Sequence, residues 1–375
     1  MNRDQLRRYA LMPLLGIIFL GPGGCKSRPK PSDEPTGRFF VYVSVGNAKK
    51  ITVFQMAPAT GALAALHEVK LEGEPGSLAV DPQQQFLYAA LRDKKAVTSF
   101  RIDPDSGNLQ PISTVPLVDT VYLAVDGTGK HLLMASYNAN KVAVYPIGSD
   151  GAVKKAATTI LETEKNPHSI MVDRFNRHVY VPNTGADSIL QYELDDRTGN
   201  LLPAQEPLHR CTKGAGPRHF FFHPTKPFVY FVNEHNSTVT AYARTEPQGA
   251  LHPLQTLGRL PSEFTGSNTC ADIEMVPSGR FLYASNRGHD SIAAFQVDRS
   301  SGRIRTIGRF ATEKTPRSFT IDPSGRFLFS AGQGSGRLAA YRIDHRSGAL
   351  VPHAIYPVGP GPAWVLALHF VETVR

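Results

Sequence analysis

Six side chains able to move a proton or hold an anion are spread along the middle of the chain: His168, Arg218, His219, Glu234, Asp272 and Arg287. A neutral histidine accepts a proton near pH 7, an ability typically worth a factor of about 10²–10⁴ in rate. Two arginines can hold a carboxylate or a phosphate, or stabilise a developing oxyanion. Glu234, expected beside Arg218 and Arg287, should stay ionised and orient the imidazole or a water. The same residues would serve equally well as buried ion pairs cross-linking neighbouring sheets, and side-chain chemistry alone does not choose between these roles. No trio of histidines and carboxylates has a spacing that demands a metal, and no cofactor is required for proton transfer of this kind.

These residues fall at recurring positions of a repeat. Seven copies of one pattern run through the chain, including ITVFQMAPATGAL from Ile51, VTSFRIDPDSGNL from Val97 and IAAFQVDRSSGRI from Ile292. Their shared aromatics are Phe54, Phe100, Tyr145, Tyr192, Tyr242, Phe295 and Tyr341, at successive spacings of 46, 45, 47, 50, 53 and 46 residues. Each period also carries two earlier strand-like segments, such as SLAVDP then FLYAAL, or FTIDP then FLFSAG. Four strand segments bounded by Gly, Pro, Asn and Asp make one four-stranded blade, and a period near 46 residues means a propeller. No apolar run with helical spacing occurs after residue 38, so the fold class is all-β.

The copies are circularly offset. A second-strand segment, Phe39–Val45, precedes the first complete inner strand, and an inner-strand segment, Ala363–Phe370, ends the chain. Pairing these two closes the seventh blade and removes exposed sheet edges. The expectation is one seven-bladed β-propeller over residues 38–373. In such a ring the start of each inner strand and the end of each second strand share one mouth. The starts read Gly76, Val121, His168, Arg218, Ala271, Arg317 and Ala363; the ends read Gly46, Arg92, Tyr137, Thr184, Glu234, Arg287 and Gln333. Charge concentrates in blades three to six, as a one-sided site requires and a purely structural ring does not. Arg317 joins the cluster on this count.

The N-terminus reads as an export signal over residues 1–25. Arg3, Arg7 and Arg8 precede an apolar run, Tyr9–Leu20, which is too short to span a membrane as a helix. Small residues before Cys25 suggest cleavage and lipidation there, although Pro22 occupies a position where an aliphatic residue is usual. Residues 26–37 form a polar, Pro-rich tether. The protein is thus expected to be exported and to touch a membrane only through the lipid on Cys25. Cys211 and Cys270 either pair or stand as two buried thiols. The net charge of +9 is dispersed, without the basic and aromatic clusters that stack bases, so nucleic acid is not an expected partner. A cationic mouth would instead draw anionic small molecules. A monomer is expected.

Several segments carry a resemblance. NPHSIMVD (Asn166–Asp173), GPRHFFFHP (Gly216–Pro224), VYFVNEHNSTVT (Val229–Thr240), ADIEMVPSGRFLYASNRGHDSIAAF (Ala271–Phe295) and TPRSFTIDPSGRFL (Thr315–Leu328) resemble the seven-bladed lactonase family. That family includes propeller-type 6-phosphogluconolactonases and carboxymuconate lactonizing enzymes. The resemblance implies hydrolysis of a sugar lactone or related anionic lactone. It places His168, Glu234 and Arg287 in catalytic roles and Arg218 on the substrate; His219, Asp272 and Arg317 are expected to contact substrate beside them. Family members often carry Asp where Asn183 stands, which would remove one acid from the mouth. Two other readings are a non-catalytic exported propeller serving as a ligand-binding or interaction scaffold, and lactone formation from an unsaturated diacid.

Overall fold

The structure is a computed structural model, and it describes residues 37–371. The expected export signal (1–25), Cys25 and all but the last residue of the tether lie outside the described residues. Seven antiparallel four-stranded sheets follow one another in chain order. Blade one comprises Pro75–Val80, Phe86–Leu91, Ala96–Ile102 and Leu109–Pro116. Blade seven takes its inner strand, Pro362–Phe370, from the end of the chain and pairs it with Arg38–Val45 in register Tyr42↔Leu366, closing the ring as expected.

Burial follows strand position. Second strands such as Phe86–Leu91 and Phe228–Asn233 are buried at every residue, because both faces of each blade press against a neighbour. Outer strands such as Leu350–Pro357 bury little, here Leu350 fully and Ala354 and Tyr356 in part, and leave the rest to water. The core is therefore a set of layers between blades. Tyr230 and Val232 of blade four, for example, pack on Leu282 and Phe295 of blade five. Each such aromatic contributes about 1.5–3 kcal/mol by leaving water.

The turn glycine of the repeat has a specific cause. In every blade it presses on a ring at or near the start of the second strand of the preceding blade. Gly302 has φ +72°, and a Cβ there would lie 2.5 Å from Phe228 Cδ1. Only glycine satisfies both the left-handed backbone and the close approach. Its carbonyl then serves as an acceptor: Tyr230 Oη donates to Gly302 O at 3.0 Å, Tyr283 to Gly348 O at 2.8 Å and Tyr42 to Gly107 O at 2.9 Å. Four junctions are locked in this way, the fourth by Tyr180 Oη donating to Gly249 O at 2.5 Å.

The two cysteines remain separate thiols. Cys211 extends the outer strand of blade three, with Sγ 3.7 Å from Tyr242 Oη, whereas Cys270 sits in the inner strand of blade five. One is peripheral and the other axial, which keeps them from pairing. Among the described residues no helix is long and apolar enough to cross a membrane.

Candidate active site at the propeller mouth

A backbone irregularity aims the mouth residues. In blade four the pairing of inner and second strands jumps from Pro217 to His219, leaving Arg218 as an extra residue. The same shift leaves Arg317 unpaired between Pro316 and Ser318, and Ala271 and Asp272 unpaired between Cys270 and Ile273. A bulge bends a strand and redirects the side chain of its extra residue. Chain positions that would otherwise alternate between two blade faces are turned together toward the axis.

Glu234, Arg287, His168 and Arg317 line one cavity of about 270 Å³. Arg287 donates through Nη2 to Glu234 Oε1 and to Cys270 O, the latter at 2.8 Å. Glu234 Oε2 faces Arg218 Nε at 3.5 Å. Burial would raise the Glu234 carboxyl, but the Arg218 and Arg287 charges outweigh it and hold the group below its ordinary range. Glu234 is thus an anion with two cationic neighbours.

Arg218, His219 and Asp272 form a layer below. All three are buried, Arg218 being only 1% exposed. Arg218 Nη1 donates to Ala271 O and lies 3.2 Å from His219 Nε2. His219 Nδ1 stands 2.9 Å from Asp272 Oδ1, and Asp272 Oδ2 accepts from the Phe319 backbone at 3.2 Å. With its Nδ1 proton directed at Asp272, His219 presents a lone pair to the guanidinium. These are the three residues expected to contact substrate beside Arg317. Their polar atoms are engaged with one another, and Arg218 and His219 reach only a recess of about 10 Å³ under the cavity. Asp272 lines neither space. Their place is to hold Glu234 and the floor.

An aromatic plug forms that floor. Tyr122 of blade two and Trp364 of blade seven meet edge to face at 5.4 Å, and His219 of blade four lies 5.1 and 5.8 Å from them. His168 packs between Tyr137 at 5.4 Å and His219 at 5.1 Å. Its Nδ1 has no hydrogen-bond partner among the described residues. Burial, followed by the charges of Arg218 and Arg317, drives its pKa well below the ordinary histidine value. His168 is therefore neutral at pH 7, with its Nδ1 lone pair free to accept a proton. Burial and Arg218 likewise pull His219 down to about 4, against the attraction of Asp272. Asn183 is fully buried and donates to Val181 O at 2.9 Å, so it lines no part of the cavity.

Six cavity residues lie outside the expected cluster, among them Thr120 and Val121. Arg92, Tyr137, Asp119 and Asn138 complete the wall on blades one and two. Arg92 and Tyr137 occupy the same second-strand ends as Glu234 and Arg287, a signal legible in the repeat. Asp119 and Asn138 lie off the repeated positions and gave none. Arg259 was missed as well. Fully buried, it donates through Nη1 to Ser285 O at 3.4 Å, while its Nε and Nη2 have no partner among the described residues. His223 is a turn residue, its Nδ1 accepting from the backbone of Lys226 at 3.1 Å. Among the described residues no group of three or more His, Cys, Asp or Glu gathers closely enough to hold a metal.

A seven-sheeted ring with one polar, cation-rich axial cavity is the frame of a propeller that binds a small molecule at its mouth. The family model described as lactonase, seven-bladed β-propeller, matches residues 39–367, and the chain belongs to that family. It is 38% identical to a 6-phosphogluconolactonase of Serratia proteamaculans over 88% of this chain and 98% of the relative. It is 36% identical to a 6-phosphogluconolactonase of Cronobacter sakazakii over 87% of this chain and 97% of the relative. Among solved structures it is similar to the periplasmic gluconolactonase of Pseudomonas aeruginosa, with TM-score 0.82 and 27% identity, covering 88% of this chain and 99% of that one.

Proposed function

We propose that the mouth cavity hydrolyses a sugar-sized lactone. The observation that carries this reading is the convergence of a neutral imidazole, a twice-paired carboxylate and an arginine on one small cavity. At about 270 Å³ the space is at the small end for ligand sites, about 300–1,000 Å³, so it suits a single sugar ring. His168 accepts a proton from water as the oxygen attacks the lactone carbonyl carbon. Arg287 lies where a cationic donor can stabilise the tetrahedral oxyanion, and Glu234 keeps it in position. The ring C–O bond then breaks, and the proton held by His168 passes to the departing ring oxygen. The product is the open hydroxy acid. Arg218, His219 and Asp272 position this set from beneath.

Export is part of the same reading. The N-terminal stretch has the order of an export signal, and the Pseudomonas aeruginosa relative in structure is described as periplasmic. Lipidation at Cys25 would then tether the enzyme; fractionation of wild type and Cys25→Ser should move the protein from membrane to soluble fractions. The activity test is direct. The purified chain should release acid from glucono-δ-lactone faster than the spontaneous reaction. No acceleration across a panel of sugar lactones would favour the non-catalytic scaffold.

A further inference from the structure

We propose that the face opposite the mouth carries a second binding site, a slot between blades three and four that takes a neutral planar aromatic molecule bearing a carbonyl. It stands apart from the lactonase reading of the mouth and does not depend on it. The slot has a volume of about 210 Å³. The turn from the inner to the second strand of blade three brings Phe175 to it, and the turn after the third strand of blade four brings Pro247. Arg244 and His178, at the strand ends beside those turns, line it as well. Inner and third strands both run away from the mouth, so both turns lie on the far face.

Two residues of the slot depart from the repeat. Two places after the third-strand aromatic, the other blades carry Met56, Ile102, Ile147, Leu194, Val297 and Ile343; blade four carries Arg244, whose side chain is 4% exposed. At the third position of the turn after the inner strand, other blades carry Gln83, Thr128, Thr225, Ser278 and Ser324. Blade three carries Phe175, which is 56% exposed, and among the described residues no other aromatic ring is as exposed. The fold demands neither departure. Asp173 Oδ1 holds its turn by accepting from the backbone of Arg177 at 3.0 Å and of His178 at 3.1 Å. Asp322 holds the equivalent turn of blade six through Arg326 and Phe327, at 2.8 and 2.7 Å, where the next blade offers Met56 and no arginine. A buried guanidinium and an exposed ring each oppose stability, and the two meet in one slot.

The charges around the slot are already matched. Arg244 Nη1 donates to Asp173 Oδ2, and its Nη2 donates to Glu246 Oε1 at 3.1 Å. Arg177 faces Glu193 at 3.2 Å, and Arg174 faces Glu246 at 3.9 Å. Three arginines thus meet three carboxylates, and no excess of either sign remains to draw an ion. The ligand is therefore neutral, unlike one suited to the cationic mouth. Arg174 and Arg244 stand 4.6 and 5.9 Å from the centroid of the Phe175 ring and hold it against the turn. A ring held in this way favours a second aromatic ring, stacked or edge to face, with Pro247 closing the slot. A guanidinium has more N–H donors than Asp173, Glu246 and Tyr180 use, and Arg244 Nε has no hydrogen-bond partner among the described residues. A carbonyl oxygen on the ligand takes up that donor capacity.

Benzamide is the probe, with cyclohexanecarboxamide as its saturated counterpart and benzoate as its charged one. Each is titrated by ligand-observed NMR against wild type, Phe175→Ser and Arg244→Ile. Both substitutions restore a residue found at the same position in other blades, so both variants should fold. Wild type should bind benzamide more tightly than either counterpart. Phe175→Ser and Arg244→Ile should each weaken benzamide binding by roughly tenfold or more. If Arg244→Ile fails to fold, Phe175→Ser decides alone, since it changes an exposed turn residue. No binding of benzamide by wild type, or equal binding by wild type and Phe175→Ser, overturns the site. Cyclohexanecarboxamide or benzoate bound as tightly as benzamide overturns the ligand class.

Discussion

Arg287 and Glu234 are joined by a guanidinium–carboxylate contact at the cavity wall, and the second oxygen of the same carboxylate faces buried Arg218. One anion thus sets the position of two cations from different depths. Glu234→Gln removes that anion while keeping its shape. Lactone turnover should fall by at least about 10²-fold. Stability should fall too, by about 3–5 kcal/mol, because Arg218 is left buried without its carboxylate. Initial rates and urea unfolding check both, and a fully active or fully stable variant would contradict the arrangement.

Arg259 predicts the opposite balance of activity and stability. Its guanidinium is fully buried, and burial and the nearby Arg287 both disfavour its charge. Arg259→Met should raise stability by roughly 1–3 kcal/mol, since a charge without a carboxylate partner is removed from the interior. It should also lower kcat/KM by weakening the positive potential behind Arg287. Loss of stability in this variant, measured by denaturant unfolding, would show that the Arg259 hydrogen bond to Ser285 outweighs the burial of charge.

The pH profile follows from the two histidines. Burial holds His168 neutral well below its ordinary value, so kcat/KM should show no inflection in the range near pH 6.5 where an unperturbed histidine titrates. His219 protonates near 4, which replaces the lone pair facing Arg218 with an N–H and adds a like charge, so activity falls there. The sign for stability is also fixed. Both folded-state values lie below the unfolded value of about 6.5, so the unfolded chain binds the extra protons as pH falls. Stability is complete above about pH 6.5 and is lost toward pH 4, by roughly 3 kcal/mol from His219 alone. Melting of wild type and His219→Gln across this range checks it, the variant showing the shallower decline.

Ring closure carries its own expectation. The inner strand of blade seven, Pro362–Phe370, pairs with one edge of Arg38–Val45 and bears Trp364 of the aromatic plug. Deleting residues 362–375 should expose that edge and open the floor. The truncated chain should aggregate during purification, as judged by size-exclusion chromatography. A soluble, cooperatively melting truncation would show that six blades and a partial seventh suffice.

The fold was legible because each blade repeats its signals. The turn glycine, the third-strand aromatic and the Pro that opens the inner strand recur, and each has a packing cause that recurs with it. Gly302 against Phe228 is one instance of a contact made in every blade. The site was legible only in part. Glu234 and Arg287 stand at repeated positions and line the cavity as their positions suggested. Arg218 stands at such a position too and Asp272 one residue after it, yet strand bulges and hydrogen bonds through His219 take them below the cavity, and no spacing rule reveals depth. Arg92 stands in the same register, but on blade one, apart from the charge gathered on blades three to six. Arg259 lies in a connection outside the repeat, and its burial depends on the neighbouring blade.

The most direct measurement is the enzymatic rate of glucono-δ-lactone opening, corrected for the spontaneous reaction, in wild type, His168→Gln and Arg287→Met side by side. The geometry predicts a wild-type rate above background and a loss of about 10²-fold or more in each folded variant. A wild-type rate retained in both variants would place the chemistry somewhere other than this mouth.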